Sequence, residues 1–295
     1  LKVDSTGVTV TGKLTAEDVV VDFTDAQSNT IVGGTAGDSF TGTDATHNSL
    51  FGSTAGTSIT TGDNNTFLGS QSGAASSTAS NNTGVGKDTL AANVSGDSNT
   101  AVGANALTAS TTASFNTAVG EWAGKSITTG DRNVALGYEA LKTNTVGDRN
   151  VALGYGSLFT MNPSSNADTM NVAVGYAAAY YTTTGIDNTA IGGYALQDNT
   201  SGSSNTAVGS TTLANNTTGN QNVAVGHNAL DTNTTGHYNV GLGYYALKSN
   251  TTASSNVGVG YKTLTANTTG TSNVAVGTNA LLTVTTSNNN TAVGK

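Results

Sequence analysis

The chain has 295 residues, only 9% of them charged, with a formal net charge of −8, 38 Gly, one Pro and no Cys. An acidic chain with only 10 Lys and Arg is a poor binder of polyanions, which excludes nucleic acid as an expected partner. The absence of Cys excludes disulfide staples and thiolate metal sites, and no apolar run approaches the ~20 residues of a membrane span, so no membrane insertion is expected. Polar, weakly charged, Gly-rich chains are often disordered because they cannot bury enough apolar surface to offset ordering entropy. Here the apolar residues recur too regularly for that outcome.

Residues 1–28 come first. Val8, Val10 and Leu14 alternate with polar residues, and Val19, Val20, Val21 and Phe23 follow. This spacing predicts a short β segment leading into what comes next. The chain begins at Leu1 with no leader-like segment or initiator Met, and stops at Lys295 in the middle of a repeat unit, so a longer, processed product is expected.

Residues 29–295 are a repeat. An Asn followed by two small or β-branched residues, an apolar residue and Gly occurs at Asn29, Asn48, Asn65, Asn82, Asn99, Asn116, Asn133 and Asn150. It continues at Asn171, Asn188, Asn205, Asn222, Asn239, Asn256, Asn273 and Asn290. From Asn48 the step is 17 residues except between Asn150 and Asn171, where it is 21; the first step is 19. With Asn as position zero, position one is Thr or Val apart from Ser49, position three is apolar and position four is Gly. Position seven is small, position eight is usually Leu, position eleven is often Asn and position fourteen is usually Gly.

A 17-residue unit is too short for a strand, a helix and two loops, but it suits one coil of two short strands and two bends. The fold class expected is therefore all-β: a parallel β-solenoid, or β-roll, of 17-residue coils, homotrimeric and fibrous. Gly at position four and the Thr-Thr-Gly run are the expected bends with positive φ. Sixteen coils at the usual strand spacing make a rod roughly 75 Å long. Stacking places Asn99, Asn116, Asn133, Asn150, Asn171, Asn188, Asn205 and Asn222 in one column. Such a column is either a ligand track or a structural ladder, and the ladder is favoured because each coil needs one.

Positions three and eight are the expected core, giving each coil only two large apolar residues. That is a thin balance against ordering entropy. The small residues at positions two and seven are then read as a face that admits another backbone, an interface between three copies. Ile31, Leu50 and Phe67 replace Ala at position two of the first three units, where this interface is expected to open.

Candidate contacts lie where a side chain stands out or the period fails. Tyr138, Tyr155 and Tyr176 occupy position five of consecutive units, and Tyr244 and Tyr261 repeat the arrangement. Stacked rings on a rod could hold sugar rings, or simply cover the coil edge or pack at the seam between chains. The insertion at 159–170 carries Phe159, Met161 and Met170 and the only Pro, and reads as a loop where contact with a receptor could arise or as a tolerated bulge. His47, His227 and His237 form no catalytic or metal-ligand pattern, and His227 reads as a surface residue. Gly241-Leu-Gly243 and Gly258-Val-Gly260 lack the βαβ context of a phosphate loop. Sequons such as Asn233-Thr-Thr235 and Asn250-Thr-Thr252 read as turns. Asp and Glu show no recurring pair, so glycan hydrolysis is not expected.

The Asn-Thr-Ala-Val-Gly runs at 99–103 and 205–209 resemble the head repeats of trimeric autotransporter adhesins, a left-handed parallel β-roll, in motif though not in period. The longer run from Asn222 to Gly236 and the Val3–Ala16 segment are similar to those of phage tail-fibre-like proteins. In similar phage fibres a C-terminal chaperone domain assists trimerisation and is cleaved off. The resemblance implies a virion fibre shaft or adhesin mediating host or surface attachment. The alternative is a bacterial trimeric surface adhesin or an extracellular filament subunit. It implies a homotrimer at the virion surface or outside the cell, with a cell-surface glycan or protein as receptor. No enzymatic activity, metal or cofactor is expected.

Overall fold

The computed structural model describes residues 2–4, 7–9, 25–40, 44–165 and 167–295. Among these there is no helix. Lys2–Asp4 pairs antiparallel with Gly7–Thr9, while the rest of the expected N-terminal β segment, including Val10, Leu14 and Phe23, lies outside the described residues. Sixteen three-residue strands, from Thr30–Val32 to Thr291–Val293, make one parallel sheet in strict chain order. Each strand pairs in register with the next unit, as Thr206, Ala207 and Val208 do with Val223, Ala224 and Val225. The chain is therefore a parallel β-solenoid with one unit per coil. Backbone bonds to the next coil also run through the bends, for example from Leu213 N to Ala229 O at 3.0 Å and from Thr217 N to Thr234 O at 2.9 Å.

The inside of the coil differs from the sequence expectation. In the strand Thr206–Val208 the central Ala is buried and its neighbours are only half-buried, and most strands of the sheet show this alternation. Position three is thus not core; it faces outward with position one. Positions two and seven, expected at a chain–chain interface, lie inside each coil: Ala207, Thr212, Ala224 and Ala229 have no exposed surface. The reason is strand parity. The buried Asn at position zero sets the phase, so position two points inward and positions one and three cannot. Ala fits there because the Leu at position eight fills the same narrow interior.

The bends also differ. Gly at position four has φ between 115° and 144°, as expected. The Gly of the Thr-Thr-Gly run does not have positive φ. It is needed for space: a Cβ on Gly219 would meet the Gly236 carbonyl oxygen at 2.4 Å and Asn216 Oδ1 at 2.3 Å. Left-handed backbone falls instead on positions six, eight and sixteen, mostly on residues other than Gly, as at Thr211, Leu213 and Gln221 with φ of 52°, 50° and 55°. An L-residue pays about 1–2 kcal/mol for this conformation. The cost is sustained because the N–H of such a residue is tied to a neighbouring coil, Thr211 to Gly193 O, Leu213 to Ala229 O and Gln221 to Ser203 O.

In the first three coils a different set of residues fills the same volume. Where Leu50 and Phe67 replace Ala at position two, Gly56 and Gly73 replace Leu at position eight. Both large side chains are fully buried. A Cβ on Gly73 would meet the Phe67 ring at 2.2 Å, and one on Gly56 would meet Leu50 at 2.8 Å. These residues fill the coil interior and do not mark an opened interface. The same exchange recurs at Gly124, where Ile127 at position eleven supplies the missing bulk.

The insertion is largely absorbed. Met161 occupies position eleven and is fully buried, which corrects its assignment as a surface contact: a flexible thioether replaces Asn in the interior. Ala167–Asp168 pairs parallel with Gly147–Asp148, and Asp168 forms an ion pair with Arg149. Thr169 takes over a ladder contact by accepting from Asn150 Nδ2 at 2.6 Å.

Candidate functional site

The eight Asn singled out from sequence are consecutive rungs of a column that runs from Asn29 to Asn290 and is buried as far as Asn273. Asn222 shows the standard rung. Its backbone N–H and its Nδ2 both donate to Asn205 Oδ1, at 3.0 and 3.1 Å, and Nδ2 also donates to Gly236 O at 2.8 Å. Each amide therefore uses both donors, and its oxygen accepts twice from the next rung. No capacity is left for a ligand. At the first rung Asp25 takes the place of the missing Asn: its Oδ1 accepts from Asn29 N at 2.8 Å and its Oδ2 from Asn29 Nδ2 at 2.9 Å. Burial alone would raise the Asp25 pKa, but these bonds together outweigh it and hold the carboxyl below its ordinary value.

Two further columns were missed in the sequence. Position eleven is a second buried ladder, with Asn216, Asn233, Asn250 and Asn267 each donating to the Asn Oδ1 one coil earlier at 2.8–3.2 Å. Asn233 and Asn250 are therefore interior residues rather than turn residues, and their sequons are closed to modification in the folded coil. Among the described residues, the buried side-chain oxygens without a partner, Ser76 Oγ, Ser110 Oγ, Thr182 Oγ1 and Asn267 Oδ1, all belong to this column. They mark where Asn gives way to a shorter or apolar residue. Position fifteen carries acceptors for the preceding coil's backbone, as when Asp97 Oδ1 accepts from Ser80 N at 2.7 Å. His237 serves there through Nδ1, which accepts from Asn220 N at 2.9 Å. Asp63, Asp97, Asp131 and Asp148 share this column, so the Asp residues are less scattered than the sequence suggested.

Aromatic residues at positions five, six and nine form a partly exposed edge. Tyr138 and Tyr155 stack at 5.5 Å, and Tyr155 and Tyr176 at 5.0 Å with planes 8° apart. Trp122 extends the row at one end and Tyr194 packs edge-on against Tyr176 at the other, at 5.2 Å and 67°. Phe159 lies beside this row, stacked on Tyr180 at 4.8 Å. Lys142 sits over both Trp122 and Phe159 and pairs with Glu139 at 2.6 Å. Desolvation, then Glu139 and Glu121, push the Tyr138 hydroxyl pKa up. A second row begins at His227, which is exposed as expected and stacks on Tyr244; Tyr244 stacks in turn on Tyr261 at 5.6 Å. Inside the rows the ring faces are taken by neighbouring rings, while Tyr261 ends the second row with a ring on one side only. Met170 is exposed but belongs to neither row.

The third exposed feature is the outer sheet face. Positions one and three form two parallel columns of Thr, Val, Leu, Ile and Phe, with Ser49 the single exception and no charged residue in any of the sixteen strands. Phe51, Leu68 and Ile191 are 39%, 49% and 40% exposed. Among the described residues, no group of three or more His, Asp or Glu is placed to hold a metal ion. The chain matches no protein-family model, no curated protein and no solved structure.

Proposed function

We propose that this chain is the rigid shaft of a homotrimeric attachment fibre, exposed at a virion surface or outside the cell. The observation that carries the proposal is the outer sheet face, an uncharged strip along the whole solenoid in which position three is apolar throughout and position one is Thr, Val or, once, Ser. A strip two columns wide and about 75 Å long covers roughly 700 Å². That is close to the ~800 Å² each partner contributes to a standard interface. The interface thus moves from positions two and seven to positions one and three, and the trimer rests on different residues from those the sequence suggested. Side-by-side packing gives a straight, stiff rod, and the resemblance of the repeat to adhesin heads and phage fibres supports a role in attachment. The repeating polar columns are consumed by coil-to-coil bonding, which fits a spacer rather than a chemical site.

Light scattering on the native protein tests the assembly. The expected mass is three times the 29.2 kDa of one chain. Val208→Glu combined with Leu242→Glu, which places two charges on the strip, is expected to leave folded monomers. A monomeric native protein overturns the proposal.

A further inference from the structure

Tyr155 and Tyr176 are the tightest pair of stacked Tyr rings on neighbouring coils. Leu153 O accepts from Gly175 N at 2.8 Å and Tyr155 O from Ala177 N at 2.9 Å, so the backbone holds the two residues in step on both sides. Their ring centroids are 5.0 Å apart, and the residues are 44% and 51% exposed. Tyr138 with Tyr155 and Tyr244 with Tyr261 are wider, at 5.5 and 5.6 Å. Tyr244 and Tyr245 are closer, at 4.0 Å, but they are adjacent in sequence and Lys248 lies over Tyr245. A cation over a ring disfavours removing an electron from it. Lys142 sits over Trp122 at one end of the first row, and Lys262 over Tyr261 in the second. Among the described residues, no Lys or Arg lies over Tyr155 or Tyr176.

From this geometry we infer that Tyr155 and Tyr176 are a site of oxidative cross-linking, joined ring to ring by a peroxide-driven haem peroxidase acting as one-electron oxidant. Each phenol gives up one electron and its hydroxyl proton. The two phenoxyl radicals pair their odd electrons in a bond between ring carbons ortho to the oxygens. The hydrogens on those two carbons then move to the oxygens, which restores both aromatic rings and both hydroxyls. One hydrogen peroxide takes up the two electrons and two protons and leaves as two waters. The outer torsion of a Tyr side chain is broad, and exposed side chains turn quickly, so stacked rings can swing edge to edge while the backbone stays in place. The bond closes a 21-residue loop around the insertion. The ladder is stretched at that junction: Asn171 N and Nδ2 reach Asn150 Oδ1 at 3.2 and 3.3 Å, against 3.0 and 3.1 Å at the Asn222 rung. The covalent link thus staples the coil that carries the insertion to the coil after it. It lies within one chain and needs no receptor, so it stands apart from the attachment reading.

The native protein is treated with a haem peroxidase and hydrogen peroxide. Dityrosine is read by its blue fluorescence, by a mass lower by two hydrogens and by peptide mapping. The expected product joins Tyr155 to Tyr176 and runs as a single chain on a denaturing gel. Tyr176→Phe keeps a ring in the stack but has no hydroxyl to lose, and should reduce the fluorescence at least fivefold. Tyr138→Phe should leave most of it, as should Tyr238→Phe, whose wild-type ring meets His237 and no other Tyr. Cross-linked wild type should show a raised thermal midpoint, because the closed loop restricts the unfolded chain. The same treatment in urea should scatter the linkage over the ten Tyr. No dityrosine, a product between chains or at another pair, fluorescence untouched by Tyr176→Phe, or an unchanged midpoint overturns the inference. An identical map in urea overturns it too, since the fold would then not place the bond.

Discussion

The first three coils and the body of the rod solve the same packing problem in opposite ways. In the body a small residue at position two faces Leu at position eight; at Leu50 and Phe67 the large residue comes from the strand and Gly faces it from the bend. Interior volume is conserved and the identity of the filling residue is not. The Asn ladder passes through both regions unchanged. Coil stacking is thus specified by the polar column, and the apolar fill only has to match it in size.

The largest expected effect breaks this exchange. Phe67→Ala leaves a cavity in a fully buried site and should cost about 3–5 kcal/mol. Gly73→Leu alone drives a side chain into the Phe67 ring. Together they recreate the pattern of the body, whose Leu residues already accept the left-handed backbone held by Gly73. The double variant should recover most of the loss. Denaturant unfolding of all four proteins checks this, and additive costs would refute the exchange.

Next comes the element the two regions share. Asn99→Ala leaves the Asn116 N–H without its acceptor and the Ala113 carbonyl without its donor, a loss of about 3 kcal/mol. Asn48→Ala removes the equivalent bonds and should cost the same within error, despite the different fill around it. A clear inequality between the two would show that the ladder and the fill are coupled.

A smaller, stabilising change completes the second ladder. Val284 occupies position eleven in the coil after Asn267, whose Oδ1 lacks a partner. Val284→Asn should supply the missing donor and add about 1 kcal/mol, read as a raised thermal midpoint. The smallest effect belongs to Asp25, at the start of the atypical region. Its folded pKa lies below the unfolded one, so its contribution is present above about pH 4 and is lost as pH falls through the lowered folded value. Asp25→Ala should be destabilised at neutral pH and should converge with wild type in acid, as followed by unfolding across that range.

The repeat, its register and the solenoid were legible in the sequence, because the period is strict and Gly at position four admits no Cβ. Inside and outside were not. Val at position three is more apolar than Ala at position two, so hydrophobicity favours the wrong one; the buried Asn decides the phase. Two signals in the sequence do mark the interior. One is the reciprocal exchange between Phe67 and Gly73. The other is the replacement of Asn at position eleven by Ile59, Ile127 and Met161, which only an enclosed column tolerates. The left-handed residues carry no compositional mark, since position sixteen holds Ser, Arg, Phe, Tyr and Gln alike. The Tyr rows were visible as a spacing, but which rings meet most closely needed the rings in place.

The stacking of one unit per coil has a mechanical corollary. A force applied to the two ends of a single chain loads the terminal coil first, because each coil is held mainly by the one beside it. The rod should unwind in discrete yields, each paying out 17 residues, or about 60 Å of extended chain. The coil carrying the insertion should register as one step longer by four residues, a built-in ruler mark about halfway along the thread.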